Sequence, residues 1–221
     1  MRIELPSGTP AELARPDAGE PVRGLVIAPD IGGLRPLFDD LCARLAAEHR
    51  WVVCAPEPFP GREQLTLEDR LAAVRDLDDG RQVGDLLEAA DAIGTQPVAV
   101  LGFCMGGMYA LKAAGSGRFD RVVSFYGMIR IPDQWRGPGH EEPLDAVRRG
   151  DPSSVLALVG GQDPWTPASD VDDLEGAGAA VVRYSEAEHG FVHDPERPAH
   201  RAADAADAWS RAVAFLSHPG G

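Results

Sequence analysis

The stretch that most constrains this chain is a cysteine set between glycines directly after a short apolar run. Residues 97–101 are apolar and bounded by turn formers, as expected of a buried parallel strand, and residues 108–114 have the pattern of a helix. Gly102, Cys104 and Gly106 therefore lie at a strand-to-helix turn. Glycines at such a turn let two backbones approach closely while the central residue holds a strained conformation that exposes its side chain. The spacing predicts a nucleophile elbow whose reactive atom is sulfur.

Apolar runs alternate with helical patterns along the rest of the chain. Residues 1–5 and 11–14 could form a small edge hairpin, and no hairpin signals occur in the middle of the chain. Core strands are predicted over residues 22–28, 51–55, 97–101, 121–126, 154–159 and 180–184. Helices are predicted over residues 34–48, 67–77, 82–92, 108–114, 169–175 and 199–217. This alternation indicates an α/β protein with a doubly wound, mostly parallel sheet and helices on both faces.

Two connecting segments are predicted to be irregular. Asp78, Asp79 and Gly80 indicate a turn between two helices. Residues 130–149 are polar, rich in proline and glycine, and without clean periodicity, so we expect a surface excursion there.

Length and charge restrict the organisation of the chain and its partners. At 221 residues, with no linker or break in composition, we expect a single domain over residues 1–221. The formal charge of −14 argues against nucleic acid as a partner. The first residues lack the long apolar core of a signal peptide, and no run of about 18 apolar residues occurs, so we expect a cytoplasmic protein without a membrane partner.

The cysteines and histidines do not form a metal-binding pattern. Cys42, Cys54 and Cys104 are an odd number without C-x-x-C spacing, which indicates neither a disulfide framework nor a zinc site. His193 follows His189 by four residues, a spacing that places two ligands on one helix face. Gly190 disfavours a helix there and no third ligand is evident, so no metal site is predicted.

Three loops at strand ends supply a cysteine, an acid and a histidine in that order. Cys104, Asp163 and His189 each follow their own strand, so all three can meet at one edge of the sheet, and this chain order is typical of α/β-hydrolases. Each residue alone has an ordinary explanation as core, turn or solvated loop. Together they predict a triad in which His189 activates the thiol and Asp163 orients the imidazole.

Backbone amides next to these residues are candidates for an oxyanion hole. A tetrahedral intermediate needs hydrogen-bond donors for its developing negative charge. The N–H of Met105, directly after the nucleophile, and that of Ile31, in the loop after the first core strand, are the expected pair.

Several of these motifs together resemble the dienelactone hydrolase family. The motifs are residues 28–33 (APDIGG), 102–107 (GFCMGG), 125–127 (FYG), 160–163 (GGQD) and 188–191 (EHGF), and the similarity extends over nearly the whole chain. The resemblance implies an α/β-hydrolase fold and hydrolysis of a lactone or another activated ester through a thiol acyl-enzyme. It also implies a small-molecule substrate and neither metal nor cofactor.

Two positions differ from the pattern of that family. In the family, a glutamate beside the first oxyanion donor holds the resting thiol, and the matching Asp30 is one methylene shorter. Some members bind a substrate carboxylate with an arginine four residues after the catalytic histidine, where this chain has His193. A neutral imidazole is a weaker anion anchor than the fixed fork of a guanidinium.

The substrate contacts are the least determined part of the site. Predicted contacts are Arg70, Tyr126, Trp165 and His193, with Arg35 and Arg62 as further arginines that could approach the site. The arginines could equally be solvated, and Trp165 could pack against the final helix.

We therefore expect a hydrolase in which Cys104 attacks a lactone or ester carbonyl and Asp30 tunes the thiol. Two alternatives remain open. The first is a thioesterase or acyl transferase, because a thiol that exchanges acyl groups need not prefer water as acceptor. The second is a non-catalytic thiol-sensing or ligand-binding protein that uses Cys104 as a reversible oxidation site. The chain could be a monomer or a homodimer.

Overall fold

A sheet of eight strands forms the centre of the molecule, and its strand order is β1-β2-β4-β3-β5-β6-β7-β8. The computed structural model describes residues 1–218. The strands are β1 (Arg2–Glu4), β2 (Pro10–Ala14), β3 (Arg23–Ala28), β4 (Trp51–Pro56), β5 (Val98–Phe103), β6 (Val122–Phe125), β7 (Val155–Gly160) and β8 (Ala180–Tyr184). The α-helices are α1 (Pro36–His49), α2 (Leu67–Ala73), α3 (Asp79–Ile93), α4 (Met105–Ala114), α5 (Pro143–Arg149), α6 (Ala168–Gly176) and α7 (Ala202–Ser217).

Strands β3 to β8 run parallel, whereas β1 and β2 form the predicted antiparallel hairpin at one edge. Every residue of β3 to β7 is buried, because helices cover both faces of the sheet. At the other edge, β8 is partly exposed. The predicted α/β-hydrolase fold with a doubly wound, mostly parallel sheet is confirmed.

The strand order reverses beside β3. From β3 the chain crosses to β4 on one side, and from β4 it returns to β5 on the other side of β3. Open α/β sheets bind ligands in the crevice at such a reversal, outside the carboxyl ends of the strands. The loops after β3 and β5 flank this crevice, and they carry Ile31 and Cys104.

One hydrophobic core connects the elements, from Leu5 near the first strand to Leu216 in the last helix. Cys42 and Cys54 are buried within it and unbridged, and burial raises the pKa of both thiols. In residues 1–218, no helix has both the length and the apolar character needed to cross a membrane.

Two segments differ from the predicted irregular structure. Asp78 is the N-cap of α3, where its carboxylate accepts a hydrogen bond from the Arg81 amide at 2.7 Å, so Asp79 and Gly80 belong to the first helical turn. The expected excursion over residues 130–149 contains α5, which begins with Pro143 and buries an apolar side. Proline suits the first turn of a helix, because the N–H that it lacks would have no partner there.

Candidate active site

Cys104 lies on a strained turn between β5 and α4. Its φ is 55° and its ψ is −121°, a conformation that non-glycine residues rarely adopt. Two glycines make room for the turn. A Cβ on Gly102 would lie 2.1 Å from the carbonyl oxygen of Gly106, and a Cβ on Gly106 would lie 2.1 Å from that of Ala28. The backbone geometry is therefore that of a nucleophile elbow seated against the end of β3.

The two predicted oxyanion donors, the amides of Met105 and Ile31, lie on either side of the contact between Gly106 and the end of β3. Helix α4 begins at Met105, and the first amides of a helix have no carbonyl partner within it. The Ile31 amide follows the end of β3, against which Gly106 packs. Within residues 1–218, no hydrogen bond occupies either amide. Both are thus available to a substrate oxygen.

A buried ion pair holds the loop that carries Ile31. Glu57 accepts a hydrogen bond from the Leu34 amide at 2.8 Å and pairs with Arg70 at 3.2 Å. The guanidinium of Arg70 also donates to the carbonyl oxygen of Ile31 at 3.3 Å and lies over the Phe59 ring. Arg70 is 5% exposed. Arg70 thus holds the loop from its buried side, and its predicted role in substrate binding stays a prediction.

His189 lies between an acid and the thiol. Its Nδ1 is 2.8 Å from Oδ2 of Asp163, and the Cys104 side chain is close enough to act on its pKa. Burial alone would lower the pKa of His189, but the interactions with Asp163 and Cys104 outweigh it and raise the pKa to about 10. The structure thus brings Cys104, His189 and Asp163 together at the sheet edge where the sequence predicted them.

Asp163 also orders the loop that follows it. Its other carboxylate oxygen accepts the backbone N–H of Trp165 at 2.8 Å, and the residue is 5% exposed. The half-buried Trp165 ring lies 6.4 Å from the His189 ring, centroid to centroid. One carboxylate therefore positions both the His189 imidazole and the Trp165 ring.

His193 is buried in a closed hydrogen-bond network. Its Nε2 is 2.8 Å from Oδ2 of Asp30, and its Nδ1 contacts the hydroxyl of Tyr126. Burial lowers the pKa of His193 and outweighs the opposing effect of Asp30. The neutral imidazole then donates from Nε2 to the carboxylate and accepts from Tyr126 at Nδ1. Both ring nitrogens of His193 are therefore occupied in this structure, and its predicted contact with a substrate stays a prediction.

Tyr126 packs against the His189 ring. The side chain is fully buried, its backbone φ is 41°, and its ring meets the His189 ring edge-on at 5.2 Å. Burial raises the pKa of the phenol well above its ordinary value, so the hydroxyl stays protonated and donates to His193. Tyr126 was predicted to contact the substrate. In the structure its hydroxyl hydrogen-bonds His193.

Asp30 lies beside the elbow with all its acceptor sites in use. Oδ1 accepts from the Gly32 amide at 2.9 Å and from Arg35 at 2.6 Å, while Oδ2 accepts from Arg35 at 2.9 Å and from His193 at 2.8 Å. Burial would raise the pKa of Asp30, but these partners outweigh it and hold the pKa well below its ordinary value. A carboxylate has about four lone-pair sites. A direct hydrogen bond with the Cys104 thiol would therefore require one of the present bonds to break.

Two residues near the site were missed in the sequence. Glu57 was visible as an acid between prolines directly after a buried strand. Arg35, which the sequence suggested could approach the site, pairs with Asp30. The half-buried guanidinium of Arg197 packs on Gly190, where a Cβ would lie 2.7 Å from its Nη1. No comparable signal singled out Arg197, which follows His189 by eight residues in an irregular loop. Within residues 1–218, no group of three or more metal-binding side chains is placed to hold an ion.

Comparisons with known proteins point to one family. The family model described as "Dienelactone hydrolase family" matches residues 9–219. A carboxymethylenebutenolidase of Rhodococcus opacus is 29% identical, over 87% of this chain and 79% of its own. A Bradyrhizobium protein named "Probable 2-oxo-3-(5-oxofuran-2-ylidene)propanoate lactonase" is 27% identical, over 93% of this chain and 88% of its own.

A solved structure supports the fold. The protein comes from Klebsiella pneumoniae subsp. pneumoniae MGH 78578 and is assigned as a dienelactone hydrolase. It superposes with a TM-score of 0.86 at 24% identity and covers 99% of this chain and 98% of its own. The family model extends over nearly all of the chain, and on that match the chain belongs to the dienelactone hydrolase family.

Proposed function

We propose that this protein is a cysteine-dependent hydrolase that opens a lactone or cleaves a small activated ester. The observation that carries the proposal is His189, which lies between the carboxylate of Asp163 and the thiol of Cys104 on a strained turn. The family favours this reaction, and the names of the Rhodococcus and Bradyrhizobium relatives describe lactone-opening enzymes.

In the first half of the reaction, Cys104 attacks the substrate carbonyl. The raised pKa of His189 favours transfer of the thiol proton to its imidazole, which leaves the sulfur of Cys104 free to act as the nucleophile. The thiolate forms a bond to the carbonyl carbon, and the amides of Met105 and Ile31 donate to the oxygen as it becomes negative. As the intermediate collapses, the C–O bond of the ester breaks and His189 gives its proton to the leaving oxygen.

In the second half, water removes the acyl group. Acylation removes the thiolate, and with it one of the interactions that raise the pKa of His189. The imidazole can then accept a proton from water, which attacks the acyl carbon, and Asp163 stabilises the resulting imidazolium. Collapse of this second intermediate releases the acid and restores the Cys104–His189 pair. The same histidine thus acts as a proton donor and then as a base.

Asp30 enters this proposal as part of the loop beside the thiol. Its carboxylate fixes the Gly32 amide, one residue after the proposed oxyanion donor Ile31. The direct thiol contact suggested by the family pattern stays a prediction, and it would occur in a state where one of the present Asp30 bonds has opened.

Replacement of the nucleophile tests the proposal. We expect Cys104→Ala to abolish hydrolysis of phenyl acetate and of γ-butyrolactone, and the wild-type protein to gain the mass of one acetyl group on Cys104 when a phenyl acetate reaction is quenched rapidly. Unchanged hydrolysis by Cys104→Ala would show that another group carries the reaction. Comparison of water with added alcohols and thiols as acceptors separates a hydrolase from an acyl transferase.

A further inference from the structure

A cleft of about 490 Å³ opens beside Trp165. We call it the tryptophan cleft, and its apolar lining comes from Ile131, Pro132, Pro164, Trp165 and Pro167. Its size lies within the range of pockets that hold small ligands. Trp165 links the cleft to the triad, since its ring lies 6.4 Å from that of His189. A substrate whose carbonyl lies at Cys104 can therefore extend along this ring into the cleft.

The aromatic wall of the cleft is held in place before any ligand binds. Trp165 stacks on the buried ring of Trp135 with a centroid distance of 5.4 Å and an interplanar angle of 21°. Its backbone N–H is bound to Asp163. A wall that is already ordered loses little conformational entropy when a ligand binds, and a flat indole face suits a planar ring.

The charges around the cleft disfavour an anionic ligand. Arg130 is the cation of its lining, and it is already paired with Asp170 at 3.5 Å and Asp173 at 2.5 Å. Asp133 adds a carboxylate at a fully exposed position of the rim, 3.9 Å from Arg136. The lining thus carries more negative than positive charge, and a substrate carboxylate would meet repulsion without a free guanidinium.

We propose that the tryptophan cleft binds an uncharged aromatic group of the ester or lactone substrate. This inference rests on the proposed function, because it places the reacting carbonyl at Cys104. It defines the substrate class by three features: an apolar wall of proline and isoleucine, a preformed indole face, and an acidic rim that rejects carboxylates.

Matched substrates and variants test the cleft. The probes are phenyl acetate and methyl phenylacetate, which carry the ring on opposite sides of the ester, with methyl acetate as the substrate that lacks it. For Trp165→Leu, we expect the aryl-to-methyl ratio of kcat/KM to fall by about threefold to tenfold for at least one aryl probe. Trp165→Phe keeps an aromatic face and should retain the ratio within about twofold. Comparing ratios between variants cancels the intrinsic reactivities of the esters.

A charge change at the rim gives a second readout on a folded protein. Asp133 is fully exposed, so Asp133→Lys should not perturb folding. It should improve hydrolysis of 4-carboxyphenyl acetate relative to phenyl acetate by about twofold to fivefold. Binding of benzamide to Cys104→Ala, followed by tryptophan fluorescence, should weaken in the Cys104→Ala, Trp165→Leu double variant. This measurement does not depend on hydrolysis, so it separates failure of the cleft from failure of the proposed reaction.

Two results would overturn the inference. One is an aryl-to-methyl ratio that is the same in wild type and Trp165→Leu for both aryl probes. The other is a wild-type preference for 4-carboxyphenyl acetate that disappears in Arg197→Gln, which would place an anion site on the half-buried Arg197 instead.

Discussion

Two histidines that lie four residues apart in this chain each pair with a carboxylate, and the two pairs have opposite properties. His189 with Asp163 and His193 with Asp30 share the same nitrogen-to-oxygen distance of 2.8 Å. Yet the His189 pKa is raised to about 10, whereas the His193 pKa is lowered. Proximity to a carboxylate therefore does not determine by itself whether a histidine is charged.

The difference comes from the second ring nitrogen and from burial. The second nitrogen of His189 faces the Cys104 thiol, and the side chain is 15% exposed. The second nitrogen of His193 meets the Tyr126 hydroxyl, and the side chain is 1% exposed. An ionisable thiol favours a cationic imidazole, while a buried phenol that only donates favours a neutral one. One pair is thus suited to proton transfer and the other to structural support.

Replacing each histidine by glutamine should separate these two roles most strongly. We expect His189→Gln to lower kcat/KM for phenyl acetate by about 10⁴-fold or more, as loss of the histidine does in related triads. His193→Gln should lower it by less than about tenfold, because its nitrogens touch no reacting atom. Steady-state kinetics on both variants measures the contrast, and equal losses would show that the two histidines share the proton-transfer role.

Replacing each carboxylate by its amide should give the next largest contrast. Asp163→Asn removes the charge that fixes the His189 tautomer, and kcat should fall by about 10²- to 10⁴-fold. Asp30→Asn leaves Arg35 without its carboxylate and one donor of the network unsatisfied, so the free energy of unfolding should fall by about 1–3 kcal/mol. Urea unfolding and kinetics on the two variants test this. If Asp30→Asn lost activity while keeping its stability, Asp30 would act on the thiol directly.

The pH dependence of stability should differ in sign between the pairs. The raised pKa of His189 contributes stability below pH 6.5 that is lost as the pH rises toward about 10. The lowered pKa of His193 acts oppositely: stability is lost as the pH falls below 6.5, where the unfolded chain binds the proton more readily. The lowered pKa of Asp30 adds a further loss below its ordinary value of 3.8.

Urea unfolding midpoints of the two glutamine variants across pH 4 to 10 measure these signs. His189→Gln should reduce the fall of the unfolding midpoint that wild type shows at alkaline pH. His193→Gln should reduce the fall of the midpoint just below pH 6.5. An alkaline fall of the midpoint that His189→Gln leaves unaltered would contradict the raised pKa of His189.

Removal of the Tyr126 hydroxyl should give the smallest effect. Tyr126→Phe leaves Nδ1 of His193 without its donor, so we expect a loss of about 1 kcal/mol in the free energy of unfolding. The ring contact with His189 is retained, and kcat should stay within about threefold. Thermal unfolding with matched kinetics checks both values, and a large loss of activity at unchanged stability would assign the hydroxyl to the substrate.

The sequence contained enough information to predict the elbow and the meeting of Cys104, Asp163 and His189 at one sheet edge. Glycine spacing around Cys104 and the positions of Asp163 and His189 after apolar runs are local patterns, and the topology of parallel strands converts them into neighbours. The strands and most helices could be predicted for the same reason, because they too depend on local patterns of apolar residues. At α3 the local signal was misinterpreted, because Asp78 is the helix cap and not the centre of a turn.

The side-chain network could not be predicted in this way. His193 and Asp30 are 163 positions apart, and nothing in either local pattern shows that they share a hydrogen bond. Arg70 was considered for substrate binding because arginine is an anion ligand, but its burial against Glu57 depends on how α2 docks under the loop. Which charged residues pair with each other depends on the tertiary structure.

The two glycines of the elbow cannot be replaced in this enzyme, whereas the reactive atom between them can. Any side chain at Gly102 or Gly106 would collide with backbone atoms 2.1 Å away, which no rotamer change can relieve. The sulfur of Cys104, in contrast, is the free end of a side chain, and an oxygen could replace it on the same backbone. Attempts to redesign the chemistry should therefore vary the nucleophile and retain both glycines, since the backbone turn does not depend on whether the reactive atom is sulfur or oxygen.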